Sequence, residues 1–226
     1  MTDAQPPITV DIWSDIACPW CYIGKRKFER GLEAFRLAHP EAPEVSLEYR
    51  SFELSPDTPE DYRGGEAAFL AEHKGIPEAQ AQQMLDDVTA IAASVGLDYH
   101  FETVRHVKTV TAHQALHHAK TEGLQLELKE RLLRAYFVEG HDLADPAVIA
   151  SLAAEVGLDE TGTAQALAEQ RHLADVQSDI AQAREYGING VPFFVLDGRF
   201  GVSGAQEPQA FTEVLEHVLA ERVSAA

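Results

Sequence analysis

Two cysteines stand two residues apart, Cys18-Pro19-Trp20-Cys21, between a β-rich run and an amphipathic stretch, and this junction constrains the fold more than any other feature. Upstream, Ile8-Thr9-Val10-Asp11-Ile12-Trp13 alternates as a short strand, and Ser14-Asp15 ends it in a loop. Downstream, Ile23, Phe28, Leu32, Phe35 and Leu37 fall roughly at helical spacing among Lys25, Arg26, Lys27, Glu29 and Arg30, so a helix opens at the cysteines. Pro40 and Pro43 close that helix, and Val45-Ser46-Leu47-Glu48-Tyr49-Arg50-Ser51-Phe52 alternates as a second strand. The order at the amino-terminal end is β-α-β.

Between Thr58 and about Tyr186 there is almost no strand signal. Helical periodicity recurs there in pieces separated by Gly75-Ile76-Pro77, Gly96, Gly123, Gly140, Asp145-Pro146 and Gly157. Strand signal returns in Val191-Pro192-Phe193-Phe194-Val195-Leu196, and Asp197-Gly198 reads as a tight hairpin turn into Arg199-Phe200-Gly201-Val202. A last helix carries Phe211, Val214, Leu215, Val218 and Leu219 on its apolar side. The pattern predicts an α/β protein in which a large all-helical domain is inserted between the β-α-β and β-β-α halves of a small sheet domain. The expected boundaries are 1–58 and 187–226 for the discontinuous sheet domain, 59–172 for the insertion, and a connecting helix at about 173–187.

A chain of 226 residues can bury a sizeable core without staples, so its only two cysteines are free for chemistry. Disulfide exchange proceeds by thiolate attack and needs one sulfur that is both acidic and accessible. A helix amino terminus favours negative charge through its unpaired N–H groups and dipole. Cys18 at that position is expected to ionise below the ordinary ~8.5 of a free thiol and to attack. Pro19 suits the first turn because its missing N–H has no partner there anyway. Cys21, one turn further in, is expected to be more buried, less acidic and placed to resolve a mixed disulfide. Cys-x-x-Cys also supplies half of many zinc sites. No second pair exists, and His113 and His117, at i and i+4, lie on a distant helix, so no metal is expected.

Acidic residues outnumber basic ones by 37 to 18, a net charge of −19 that repels phosphate backbones and argues against nucleic acid. No apolar run approaches the roughly 20 residues of a membrane-spanning helix. Met1-Thr2-Asp3-Ala4-Gln5-Pro6-Pro7 has neither a basic start nor an apolar core with a small-residue cleavage site, so a cytoplasmic location is expected.

Ser14-Asp15-Ile16-Ala17-Cys18-Pro19-Trp20-Cys21-Tyr22-Ile23-Gly24-Lys25 resembles the active-site segment of the DsbA-like thioredoxin superfamily, most closely its cytoplasmic FrnE-like branch. Leu133-Arg134-Ala135-Tyr136-Phe137-Val138-Glu139-Gly140 resembles the branch's mid-insertion helix. Gly190-Val191-Pro192-Phe193-Phe194 and Val202-Ser203-Gly204-Ala205-Gln206 resemble its carboxy-terminal signature. The resemblance implies a thioredoxin fold with an inserted helical domain. It also implies a cis bond before Pro192 that lies against the cysteines and turns the Val191 backbone toward an incoming peptide or thiol. His113 matches the branch's Ala-His-x-x-Leu helix, but Lys108 stands where relatives often have Asn, and no second cysteine pair is present.

These features point first to a dithiol–disulfide oxidoreductase or isomerase, monomeric or homodimeric, acting on protein or small-molecule disulfides and thiols. It needs no bound cofactor, with glutathione as a conceivable co-substrate. A glutathione-dependent isomerase or transferase of the 2-hydroxychromene-2-carboxylate isomerase or kappa type is the alternative, although those relatives generally carry Ser at the position of Cys18. A redox-sensing, chaperone-like binding module is a third reading. Trp20 is expected beside the site, Trp13 in the core, and one of Phe193 and Phe194 toward substrate by strand alternation. For His113, His117 and His118 two readings stand: site residues titrating near neutral pH, or a hydrogen-bonded His113 with partly exposed neighbours.

Overall fold

The computed structural model describes residues 6–59, 62 and 64–224, so the expectation resting on Met1–Gln5 falls outside them. In chain order the elements are β1 (Ile8–Ser14), α1 (Pro19–Ala38), β2 (Val45–Ser51), α2 (Glu66–Lys74), α3 (Glu78–Ser94), α4 (Val110–Thr121) and α5 (Gln125–Phe137), then α6 (Pro146–Glu155), α7 (Glu160–Ala168), α8 (Leu173–Glu185), β3 (Phe193–Leu196), β4 (Phe200–Ser203) and α9 (Pro208–Ser224).

The strands form one sheet in the order β2-β1-β3-β4. β1 runs parallel to β2, with Ile8 opposite Val45 and Ser14 opposite Ser51. It runs antiparallel to β3, with Trp13 opposite Phe193. The hairpin between β3 and β4 turns on Asp197 and Gly198, both at positive φ, with the Arg199 N–H donating to the Leu196 carbonyl at 3.0 Å. The Asp197 carboxylate ties this turn to α9 through Arg222 at 2.6 and 2.7 Å.

α1 and α9 cover one face of the sheet, where Phe28 stacks on Phe194 at 5.2 Å and meets Phe211 edge-on at 5.4 Å. α8 covers the other, where Trp13, Ala183, Ile188 and Val195 cluster and the Trp13 indole donates to the Asp179 carbonyl at 3.0 Å. This is the α/β thioredoxin arrangement expected from the sequence, with helices α2–α8 between its halves.

The helices have their own core, built on residues such as Leu128, Leu132, Phe137, Leu143 and Ile149. Asp145 and Asp159 cap α6 and α7 by accepting from the Ala147 and Gly162 N–H groups at 2.8 and 2.9 Å. This core extends across the expected boundary at 58, because Ile16, Ala17, Tyr22 and Ile23 belong to it. Phe28, Leu32 and Phe35, further along α1, belong to the core beneath the sheet. α5 also docks on β2, where the Gln125 side chain exchanges hydrogen bonds of 2.9 and 3.0 Å with the Tyr49 backbone.

Candidate active site

Cys18 is the extended residue that caps α1, at φ −99° and ψ 109°, and Pro19 is the first helical position. The Cys21 N–H donates back to the Cys18 carbonyl at 3.0 Å, closing the turn that holds both sulfurs. Both cysteines are free thiols, and each is only 2% exposed, so Cys21 is no more enclosed than Cys18. What separates them is what they face. Cys18 lines a cavity of about 350 Å³ with Pro19 and Trp20, and Cys21 is absent from its wall.

The loop before β3 closes over the pair. The Val191–Pro192 bond is cis, and the Cys18 Sγ donates to the Val191 carbonyl at 3.5 Å. The Pro192 ring lies so close to α1 that a Cβ on Gly24 would come within 2.7 Å of Pro192 Cγ and 3.4 Å of Ala205 Cβ. Gly24→Ala must therefore push this loop off the cysteines. It is expected to cost about 1–3 kcal/mol in denaturant unfolding and to lower exchange activity more than the fold content. A fully active variant would show that the loop tolerates displacement.

Behind the sulfurs lies a buried charge set. Burial opposes ionisation of Asp15, but His113, which donates through Nε2 at 3.2 Å, and the Leu54 N–H at 2.7 Å hold its carboxyl below the ordinary value. Burial in turn lowers His113 and keeps it neutral, with its Nδ1 enclosed and unpartnered. Lys129 of α5 is also fully enclosed, and burial lowers it to about 8 despite the attraction of Cys21, Asp15 and Cys18.

The two thiols titrate as a coupled pair. Hydrogen bonding with Cys21, burial and the charge of Asp15 push Cys18 well above the usual thiol range. Burial works against Cys21, yet the Cys18 S–H, Lys129 and the Ser14 hydroxyl hold it below that range. This corrects the expectation of a lowered pKa on Cys18. The partners that favour a thiolate surround the inner sulfur, while Asp15 repels charge on the outer one.

The cations of the first turns of α1 are occupied elsewhere. Burial resists ionisation of Glu130, but Arg26, Lys25 at 2.6 Å and the Tyr22 hydroxyl at 2.6 Å hold it at about 2. The Tyr99 hydroxyl donates to the Pro19 carbonyl at 2.7 Å and fastens the turn to the helical block.

The cavity is walled by Leu54, Phe69, Met84, Leu85 and Val88, and its polar part is the buried Glu66–His106 pair at 3.2 Å together with Asp15, Ser55, His73, Lys74 and Thr109. Trp20, Leu54 and Met84 are 39, 43 and 38% exposed, an apolar rim beside Cys18. Of the residues singled out in the sequence, Cys18, Pro19 and Trp20 meet at this cavity, Val191 reaches Cys18 through its carbonyl, and Pro192 packs on Gly24.

The remaining candidates lie elsewhere. Phe193 packs with Trp13, Val191 and Phe52 on the α8 side of the sheet, and Phe194 is core. His113 is fully buried, meets Asp15 and the Phe52 carbonyl, and is absent from the cavity wall. His117, expected to be partly exposed, is buried against Ser51 and Asp179 at 3.1 and 3.0 Å. Lys108 lines a separate polar cleft with Glu53 and Gln114. Among the described residues, no group of three or more His, Cys, Asp or Glu is arranged to hold a metal ion.

Comparison with known protein families matches residues 9–216 to the DSBA-like thioredoxin domain. The chain belongs to that family. It is similar to a probable DsbA oxidoreductase from Streptomyces coelicolor, at 36% identity and a TM-score of 0.87 over 95% of this chain and 91% of that one. It is 26% identical over 212 residues to the uncharacterised protein YwbO of Bacillus subtilis, covering 92% of this chain and 96% of that one. The cytosolic disulfide reductase DsbM of Pseudomonas aeruginosa, solved with GSH, shares the fold at 18% identity and a TM-score of 0.65, over 94% of this chain and 99% of that one.

For a DSBA-like domain the sequence reading missed Asp15 and Lys129 as members of the site. A signal for Lys129 was present, since it falls at helical spacing with Gln125, Leu128, Leu132 and Leu133, all buried on α5.

Proposed function

We propose that the chain is a thiol–disulfide oxidoreductase that works through Cys18 and Cys21 on protein or small-molecule disulfides, in the cytoplasm and with glutathione as a co-substrate. The observation that carries this reading is a pair of free thiols at the start of α1, of which Cys18 opens on an apolar cavity under the Val191 carbonyl. In the attack step Cys18 passes its proton to Cys21 across their shared hydrogen bond, and the Cys18 thiolate attacks a substrate sulfur. One substrate thiolate leaves, and a mixed disulfide remains on Cys18. The apolar rim of Trp20, Leu54 and Met84 suits substrates with apolar groups beside the disulfide. The cytosolic setting and the use of glutathione are supported by the likeness to DsbM. Insulin reduction by dithiothreitol with catalytic amounts of the protein tests the proposal. Precipitation of the insulin B chain should start earlier than in buffer, and an unchanged lag would leave the chain as a binding module.

A further inference from the structure

Lys129 belongs to the buried charge set behind the sulfurs, and the attack step leaves it unused. Its side chain is fully enclosed, and Nζ has no hydrogen-bond partner, while the Tyr49 ring lies 5.2 Å away. An unpaired ammonium is among the costliest groups to bury. The titratable groups within electrostatic reach of it come from several elements. Cys18, Cys21 and Lys25 belong to the start of α1, Asp15 to the loop after β1, Tyr49 to β2 and His113 to α4.

Resting on the oxidoreductase reading, we infer that Lys129 takes the proton of Cys21 when the mixed disulfide on Cys18 is resolved. The Lys129 amine accepts the Cys21 thiol proton and becomes an ammonium beside the new thiolate. The Cys21 thiolate then attacks Cys18 Sγ, a Cys18–Cys21 bond forms and the Cys18–substrate S–S bond breaks. The electron pair leaves with the substrate sulfur, which takes a proton from water. Over both steps the protein dithiol loses two electrons and the substrate disulfide becomes two thiols, with no other oxidant or reductant. In the mixed disulfide neither sulfur carries a charge, so of the attractions of Cys21, Asp15 and Cys18 on Lys129 only that of Asp15 remains, and the ammonium gives its proton to the first substrate thiolate. A lysine lowered to about 8 supplies free amine near neutral pH.

Lys129→Met removes the base and keeps the apolar bulk. Reduced protein mixed rapidly with oxidised glutathione gives an attack phase followed by a resolution phase that releases glutathione from Cys18. Losing a neighbouring cation raises a thiol pKa by about one to three units. Each unit cuts the Cys21 thiolate fraction about tenfold while making it about threefold more nucleophilic, so resolution should slow roughly threefold per unit. Its pH profile should move to higher pH, and the thiolate ultraviolet absorbance of the reduced pair should shift the same way.

A space-filling lysine would let Met serve as well, moving the melting midpoint but neither the resolution profile nor the thiolate titration, and that result overturns the inference. Lys129→Gln gives the same readings if the Met variant does not fold. A wild-type protein that neither speeds insulin reduction nor exchanges with oxidised glutathione sinks the oxidoreductase reading instead. The thiolate titration of wild type against variant then still decides the Lys129–Cys21 coupling.

Discussion

Cys18→Ser loses disulfide exchange by more than about a thousandfold, as expected when the attacking atom of a site is removed, whereas Cys21→Ser keeps the attack and accumulates mixed disulfides. The asymmetry does not come from burial, which is equal at 2% for the two cysteines. It comes from direction, since Cys18 lines the cavity and Cys21 does not. Serine at 21 cannot displace the substrate from Cys18, so the covalent species persists. Non-reducing mass spectrometry of both variants after exposure to oxidised glutathione and a cell extract reads this directly. Equal trapping by the two would contradict the division of roles, and no trapping by either would move weight to the binding-module reading.

Asp15→Ala should lower the unfolding free energy by about 1–3 kcal/mol for each buried donor left without its acceptor. The carboxylate accepts from the Ile16 and Leu54 N–H groups, both at 2.7 Å, and from His113 at 3.2 Å, and it faces Lys129. Its removal leaves two amides and an imidazole buried without that acceptor, and an ammonium without that negative neighbour. The same change takes a negative neighbour from Cys18, so the Cys18 thiol should ionise more easily. Because the folded state holds Asp15 below its unfolded pKa of about 3.9, the stability it contributes is complete above that value. It is lost as pH falls through the folded value. Denaturant unfolding against pH should therefore show an acid limb in the wild type that Asp15→Asn flattens. Equal limbs in the two proteins, or an unmoved Cys18 titration in the Ala variant, would remove Asp15 from this role.

The sheet, the helix opening at the cysteines and the Asp197-Gly198 hairpin were legible because each rests on local chemistry: alternation, a proline at the first helical position, and a turn that needs positive φ. The site behind the sulfurs was not. Lys129 was visible as a charge within the apolar row of α5, but what it faces is set by the docking of α5 on β2 through Gln125 and Tyr49. His113 was marked as a candidate, yet only the approach of α4 to Asp15 turns its ring inward, away from any substrate. The cavity wall draws on α2 and α3, far along the chain from Cys18, and no periodicity carries that information. The inversion of thiol acidity has the same origin, since a helix terminus acts on both sulfurs while Asp15 and Lys129 distinguish them.

α1 starts in one hydrophobic core and ends in the other, with Tyr22 and Ile23 among the helical block and Phe28, Leu32 and Phe35 beneath the sheet. Loosening of the helices therefore strips support from the very turn that presents the thiols, so the two halves breathe as one cooperative unit. A truncation deep in the helical interior, at Leu132 or Phe137, would then change how often both sulfurs meet solvent without touching their surroundings in the closed molecule. Such openings are the moments when a thiolate this enclosed becomes vulnerable to irreversible oxidation, and the rate of that damage becomes a property of the whole fold.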